Sequence, residues 1–230
     1  FVDPFDGIED IKNKIIRGVG EPNKRFQEDA LRMMRAIRFS AQLGFEIEKS
    51  TFDAIENNNF LLKNISIERV RDELLKLICS QYIEKFSLLI DLKLMSFVND
   101  DFCKYLDIHF SEIIDHISKI DGEDAVVKIA VLFLHFDKSN LMNILKFFRF
   151  DNKTIKSVNI LVHSNECDLS EDKFAIKKMV NEIGKEDFLR LVIIKKAFYI
   201  NDNIKWRLIN KIENIYQEIE NNNECMFMKD

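Results

Sequence analysis

RFQEDALRMMRAIRFSAQLGFEI, residues Arg25–Ile47, sets Arg32, Arg35 and Arg38 at every third position with Asp29 upstream of them. Ala30, Leu31, Met33, Met34, Ala36, Ile37, Phe39 and Ala41 fill the places between. A strand would alternate with period two, so the spacing predicts a helix. It should start near Asn23 and stop at Gly44, which stands where a left-handed C-cap residue belongs. At about 100° per residue the four charged positions form one slanting stripe between apolar flanks. A helix so apolar elsewhere is buried on most sides, which puts its guanidinium groups at a cleft or seam. Glu28 and Asp29 answer only part of that positive charge, so phosphates or a polar ligand are a natural supply of the rest.

The plain alternative makes Asp29–Arg32 and Glu28–Arg32 ordinary intrahelical ion pairs, each contributing about 0.2–0.5 kcal/mol, with the other arginines solvated. Three arginines on one stripe argue against it, because a helix built only for stability intersperses opposite charges there. A carboxylate and a guanidinium one turn apart also have a chemical use. The carboxylate accepts from an exocyclic amine of a base while the guanidinium donates to the ring acceptor beside it. Cytosine and adenine offer that order on their Watson–Crick edges and guanine and uracil the reverse, so such a pair selects C and A without a template.

Glu28-Asp29-Ala30-Leu31-Arg32, continued by Arg35-Ala36-Ile37-Arg38-Phe39 and Leu43-Gly44-Phe45, resembles the nucleotide-selecting motif of the bacterial tRNA nucleotidyltransferases, the CCA-adding enzymes. Upstream, Asp3 to Ile11 (DPFDGIEDI) with Lys14-Ile15-Ile16-Arg17 resembles the segment joining their catalytic head to the neck. Downstream, Ile65 to Leu74 (ISIERVRDEL) resembles the helix that closes the neck. The resemblance covers roughly residues 1–80. It implies that Asp29 and Arg32 read the incoming CTP or ATP, that Arg35 and Arg38 line the same site, and that Glu28 supports it. It also implies a head carrying Mg2+ on two carboxylates. The chain has no Gly-Ser or Gly-Gly pair followed by Asp-x-Asp, and Asp100-Asp101 lacks the spacing that puts both carboxylates on one side of a strand. With Phe1 in place of an initiator methionine, a fragment without its catalytic head is expected, holding no catalytic or metal-binding residue of its own. The implied partners are tRNA, CTP and ATP. Self-association as a homodimer stays open.

The 230 residues, 47% of them hydrophobic, suffice for one or two helical domains with a core. A net charge of −5 means that RNA would be held by local patches rather than by the overall field. No run of eighteen apolar residues occurs and no signal peptide is evident, so a cytoplasmic protein away from membranes is expected. Cys79, Cys103, Cys167 and Cys225 are scattered and read as reduced thiols. His109, His116, His135 and His163 lack zinc-ligand spacing.

The fold class expected is all-α: a multi-helix array of neck and body without a sheet. Residues 1–22, with Pro4, Gly7, Gly18, Gly20 and Pro22, form a connector around a short helix from about Ile8 to Arg17. Residues 23–80 form the neck, where Ser50 or Thr51 caps one helix and Ser66 another from about Ile67 to Cys79. Glu68, Arg69 and Glu73 are candidates to brace the arginine helix. Residues 81–220 hold no proline and two glycines, Gly122 and Gly184, so helices follow one another, at about 82–95, 101–118, 123–136, 139–149, 152–163, 171–183, 185–200 and 202–220. Residues 221–230 form a linking end. Ala130 to Phe136 (AVLFLHF) resembles the metal-carrying helix of HD phosphohydrolases, but Phe136 replaces the aspartate, so His135 reads as a packed helix residue. Lys195, Lys196, Lys205, Arg207 and Lys211, near Tyr199 and Trp206, form either a phosphate-contacting surface or a solvated face.

Two classes of function follow. The first is the neck and body of a CCA-adding enzyme, with poly(A) polymerase and CC- or A-adding enzymes as close relatives of the same pattern. The second is a non-catalytic helical RNA-binding module.

Overall fold

The computed structural model describes residues 3–120, 122 and 124–222. Cys225 and most of the expected linking end lie outside the described residues. The fold is predominantly α-helical, and the chain divides into two compact units, Phe1–Ile114 with Asn143–Arg149 and Asp115–Met142 with Phe150–Asp230.

In the first unit the connector forms α1 (Gly7–Lys12) and a two-residue strand, β1 (Ile15–Ile16). The helix expected up to Arg17 ends early because Lys14 adopts a left-handed φ of 56° and the two β-branched isoleucines turn to pair with β2 (Glu46–Ile47). The pairing is parallel, Ile15 opposite Glu46 and Ile16 opposite Ile47, and Glu48 N–H donates to the Ile16 carbonyl at 3.0 Å. This small sheet corrects the expectation of none. It ties the connector to the chain leaving the arginine helix.

That helix is also not continuous. It is split into α2 (Pro22–Glu28) and α3 (Leu31–Leu43), with Asp29 between them in extended conformation, φ −151° and ψ 101°. Asp29 Oδ1 accepts from Leu31 N–H at 3.1 Å, so its carboxylate caps an orphan donor at the start of α3. An aspartate that competes for backbone donors favours a break over a helix interior. Gly44 ends α3 as expected, at φ 67° and ψ 27°.

Helix α4 (Lys49–Asn58) is capped by Glu48 rather than by Ser50 or Thr51; its carboxylate accepts from the Thr51 N–H and from both hydroxyls. Helix α5 (Ile67–Ile78) follows a 3-10 segment, Asn59–Asn64, and Ser66 precedes it without a side-chain cap bond. Met33, Met34, Ile37 and Ala41 of α3 are buried, as are Val70, Leu74, Leu77 and Ile78 of α5, and the two helices pack together. Helix α2 packs on α4, where Asn58 donates to Asn23 at 2.8 Å. The helix expected at 82–95 is broken into 3-10 turns at Ile83–Phe86 and Leu94–Phe97 around the short α6 (Ser87–Asp91), with Lys93 left-handed at φ 53°.

Helix α7 (Asp100–Ser118) and α9 (Lys138–Phe147) fall where expected. Helix α8 (Ala125–Leu132) stops before His135, which sits exposed in the following turn instead of packed within the helix. In the second unit α10 (Asn152–Ser164), α11 (Lys173–Ile183), α12 (Lys185–Phe198) and α13 (Asn203–Asn221) agree with the sequence reading to within two residues at most ends. Helix α12 is the hub, touching α8, α10, α11 and α13. Phe86, Phe102, Phe133, Phe148 and Phe188 are all fully buried, so these phenylalanines serve the core. Among the described residues Cys79, Cys103 and Cys167 are in no disulfide. Among the described residues no helix is long and apolar enough to cross a membrane.

Candidate nucleotide-reading cleft

A cleft of about 370 Å3 lies within the first unit, a size suited to a small polar ligand. Arg25, Phe26, Asp29, Arg32, Arg35 and Phe39 line one side, and Ile16 to Val19 with Thr51 line the other. The break at Asp29 makes this possible, because it lets α2 and α3 change direction while α3 carries Arg32, Arg35 and Phe39 along one face. The opposite wall is held by Gly18 N–H, which donates to Thr51 Oγ1 at 2.9 Å, and by Arg17, paired with Asp10 at 2.9 Å and Glu48 at 2.8 Å.

Asp29 is the one carboxylate among the residues lining the cleft. Its Oδ2 accepts from Arg69 Nη2 of α5 at 2.9 Å while Oδ1 holds Leu31 N–H. Partial burial works to raise its pKa, but the bonds from Arg69 and Leu31 and the charges of Arg69 and Arg32 outweigh it and hold the carboxyl below its ordinary value. It is therefore an ionised acceptor at neutral pH.

Arg32 and Arg35 are exposed to the cleft, and among the described residues neither is in an ion pair; Arg35 lies 5.9 Å from the centre of the Phe39 ring. The expected intrahelical pairs of Arg32 with Asp29 and Glu28 are not formed. Glu28 is exposed on α2 and does not itself line the cleft; it pairs at 2.8 Å with Arg25, which does.

Arg38 takes another course. It does not line the cleft, and its guanidinium lies over the Phe39 ring at 4.0 Å, with Nε 2.6 Å from Glu73 Oε2. Both side chains are nearly buried, at 11% and 8% exposure. The contact is an ion pair whose N–H is not aimed at the oxygen, so it is held by charge more than by a directed hydrogen bond. The candidate braces are thus Arg69, through Asp29, and Glu73, through Arg38; Glu68 instead faces Arg149 at 3.9 Å. The arginine stripe accordingly divides, two members facing the cleft and one fastening α3 to α5. Arg17 and Thr51 were not singled out for the cleft from the sequence, because they come from the connector and α4, whose proximity no local spacing reveals.

Asp29 being the single carboxylate in the cleft lining, the cleft does not fit a two-carboxylate Mg2+ site. A second hollow of about 580 Å3, lined largely by connector residues such as Phe5 and Ile11, with Leu43 of α3, contains neither Asp29 nor Arg32. The basic residues late in the chain are mostly committed. Lys195 is 3% exposed and donates to the carbonyls of Asn165 and Cys167, Lys196 pairs with Glu213 at 2.5 Å, and Lys211 pairs with Glu171. Lys205, over the Tyr199 ring at 4.9 Å, and the exposed Trp206 and Arg207 remain outward.

Residues 44–106 match the family described as the probable RNA and SrmB-binding site of polymerase A. A CCA-adding enzyme of Enterococcus faecalis is 31% identical over 214 residues, 86% of this chain and 48% of that protein. One of Ligilactobacillus salivarius is 36% identical over 164 residues, 68% of this chain and 39% of that protein. The crystal structure of the Bacillus stearothermophilus CCA-adding enzyme in complex with CTP matches 95% of this chain and 54% of its own, with a TM-score of 0.77 and 26% identity. The chain spans less than half the length of these two curated relatives. By sequence and by fold together, the chain belongs to the bacterial CCA-adding enzyme family.

Proposed function

We propose that this chain is the nucleotide-selecting part of an enzyme that adds C and A to the 3' end of tRNA without a template, and that it acts in the cytoplasm. The observation that carries the reading is the meeting in one cleft of an ionised Asp29 with Arg32, which is in no ion pair among the described residues. Asp29 accepts the exocyclic amine of cytosine or adenine, Arg32 donates to the ring acceptor beside it, and guanine and uracil present a donor to a donor or an acceptor to an acceptor. Arg35 stands close enough along α3 to meet the phosphates of CTP or ATP. Arg38 and Glu73 serve the site indirectly by holding α3 on α5. The solved relative at 26% identity was crystallised with CTP, which supports a pyrimidine triphosphate as a ligand of this fold.

The metal-dependent transfer itself, with Mg2+ as the expected ion, belongs to a part of the whole protein other than these residues. Residues 23–80 would act as the neck and residues 81–220 as the body that meets tRNA, the outward Lys205, Trp206 and Arg207 being its candidate contacts. The family described for residues 44–106 also favours a second reading, addition of A alone by a polymerase of the same pattern.

The test is nucleotide addition by the whole protein to a tRNA ending before CCA, with CTP, ATP, GTP and UTP offered singly and together. Ordered incorporation of C then A is expected, with Asp29→Ala and Arg32→Ala each losing at least about tenfold in preference for CTP over UTP. Addition of A alone would select the polymerase reading. No incorporation of any nucleotide would overturn both and leave the non-catalytic RNA-binding module.

A further inference from the structure

We propose that Arg69 is a positioning residue for base selection: by gripping Asp29 from outside the cleft it fixes the carboxylate in the orientation that the base amine meets. The inference rests on the reading of Asp29 as the base acceptor and adds a residue to it.

The carboxylate of Asp29 is engaged once at each oxygen. Leu31 N–H holds Oδ1 at 3.1 Å and Arg69 Nη2 holds Oδ2 at 2.9 Å. Each carboxylate oxygen has about two acceptor positions, so one on each remains for a ligand. Arg69 is not among the residues lining the cleft, whereas Asp29 is. The guanidinium grip thus leaves acceptor capacity on a carboxylate that lines the cleft. Asp29 needs such a grip because it lies outside both helices: its backbone is extended, at φ −151°, and no helical packing fixes its side-chain torsion.

Arg69 can supply the grip because its own helix is anchored. Val70, on the next position of α5, is 1% exposed, and Glu73, one turn on, pairs with Arg38 at 2.6 Å. Stability alone is a poor reason for the contact. The Arg69 side chain is 50% exposed and that of Asp29 29%, and an ion pair so open to water contributes little to folding. Its larger effect falls on the direction and charge of one carboxylate. A specificity contact misplaced by a fraction of an ångström loses discrimination before it loses binding.

The experiment compares kcat/KM for CTP and UTP in the whole protein carrying Arg69→Gln, Arg69→Lys, Asp29→Asn, or Asp29→Asn with Arg69→Gln. Carboxyl NMR titration of Asp29 in this chain accompanies it, with circular dichroism to verify folding. Arg69→Gln should lower CTP-over-UTP preference about tenfold and raise the Asp29 pKa, so that its residual preference fades as pH is lowered while that of the wild type persists. Arg69→Lys, which keeps the charge without the fork, should recover part of the preference. In the Asp29→Asn background the further Arg69→Gln change should have no effect on preference, a coupling that a purely structural role would not produce. Wild-type preference in Arg69→Gln, or an equal loss in both backgrounds, would overturn the proposal while leaving Asp29 as base reader. A wild-type protein that incorporates all four nucleotides equally would remove the base-reading function itself, and this proposal with it.

Discussion

Replacing Glu73 by alanine removes one partner of an ion pair that is nearly out of water, with 8% of the Glu73 side chain and 11% of Arg38 exposed and 2.6 Å between Nε and Oε2. Breaking a buried pair from one side costs about 3–5 kcal/mol, because the remaining charge stays desolvated. Arg38 retains some compensation: the Phe39 ring at 4.0 Å, a contact of about 0.5–2 kcal/mol, and the Gln42 side-chain oxygen at 3.2 Å. The loss should therefore fall at the lower end, about 3 kcal/mol. With a urea m-value of about 2 kcal/mol/M, that moves the unfolding midpoint down by about 1.5 M. Urea titration followed by far-UV circular dichroism reads it directly. Replacing both partners, Arg38→Met with Glu73→Leu, should recover most of the loss, since a well-packed apolar pair is often as stable as a buried ionic one. A Glu73→Ala midpoint within about 0.3 M of wild type would refute the reasoning and mean that water reaches the pair.

Gly44→Ala should destabilise by about 1–3 kcal/mol, because the position has φ 67° and the new Cβ would stand 2.7 Å from Cζ of Tyr82; an unchanged thermal midpoint would contradict this. Acid should also weaken the junction between the connector and α4. The Ser50 hydroxyl holds the Glu48 carboxyl below its ordinary 4.5, burial opposes this, and Thr51 and Arg17 reinforce it. The folded chain then releases that proton more readily than the unfolded chain. The contribution is full above about pH 4.5 and is lost as pH falls through the folded value. Glu48→Gln should give a shallower fall of thermal midpoint with pH below that point than wild type, and identical slopes would dismiss the assignment.

Much of this molecule was legible in its sequence because the relevant physics is local. The apolar spacing of α3, α5 and the second unit's helices fixes their class, the absence of proline after residue 81 lets helix follow helix, and Gly44 marks a left-handed stop. The three motifs of residues 1–80 carried the family. What tertiary structure decided concerns partners that are distant in sequence. Ile15 and Ile16 become a strand because residues 46 and 47 return beside them, and Glu48, which caps α4 in place of Ser50 and Thr51, is held there by Arg17 from the connector. Asp29 leaves the helix because a capping bond to Leu31 and an ion pair forty residues away with Arg69 together outweigh continued helix. Arg32, Arg35 and Arg38 are equivalent as a pattern of period three. Their fates diverge because a helix shows different faces to its surroundings, and only the packed fold puts Glu73 beside one and an open cleft beside the other two.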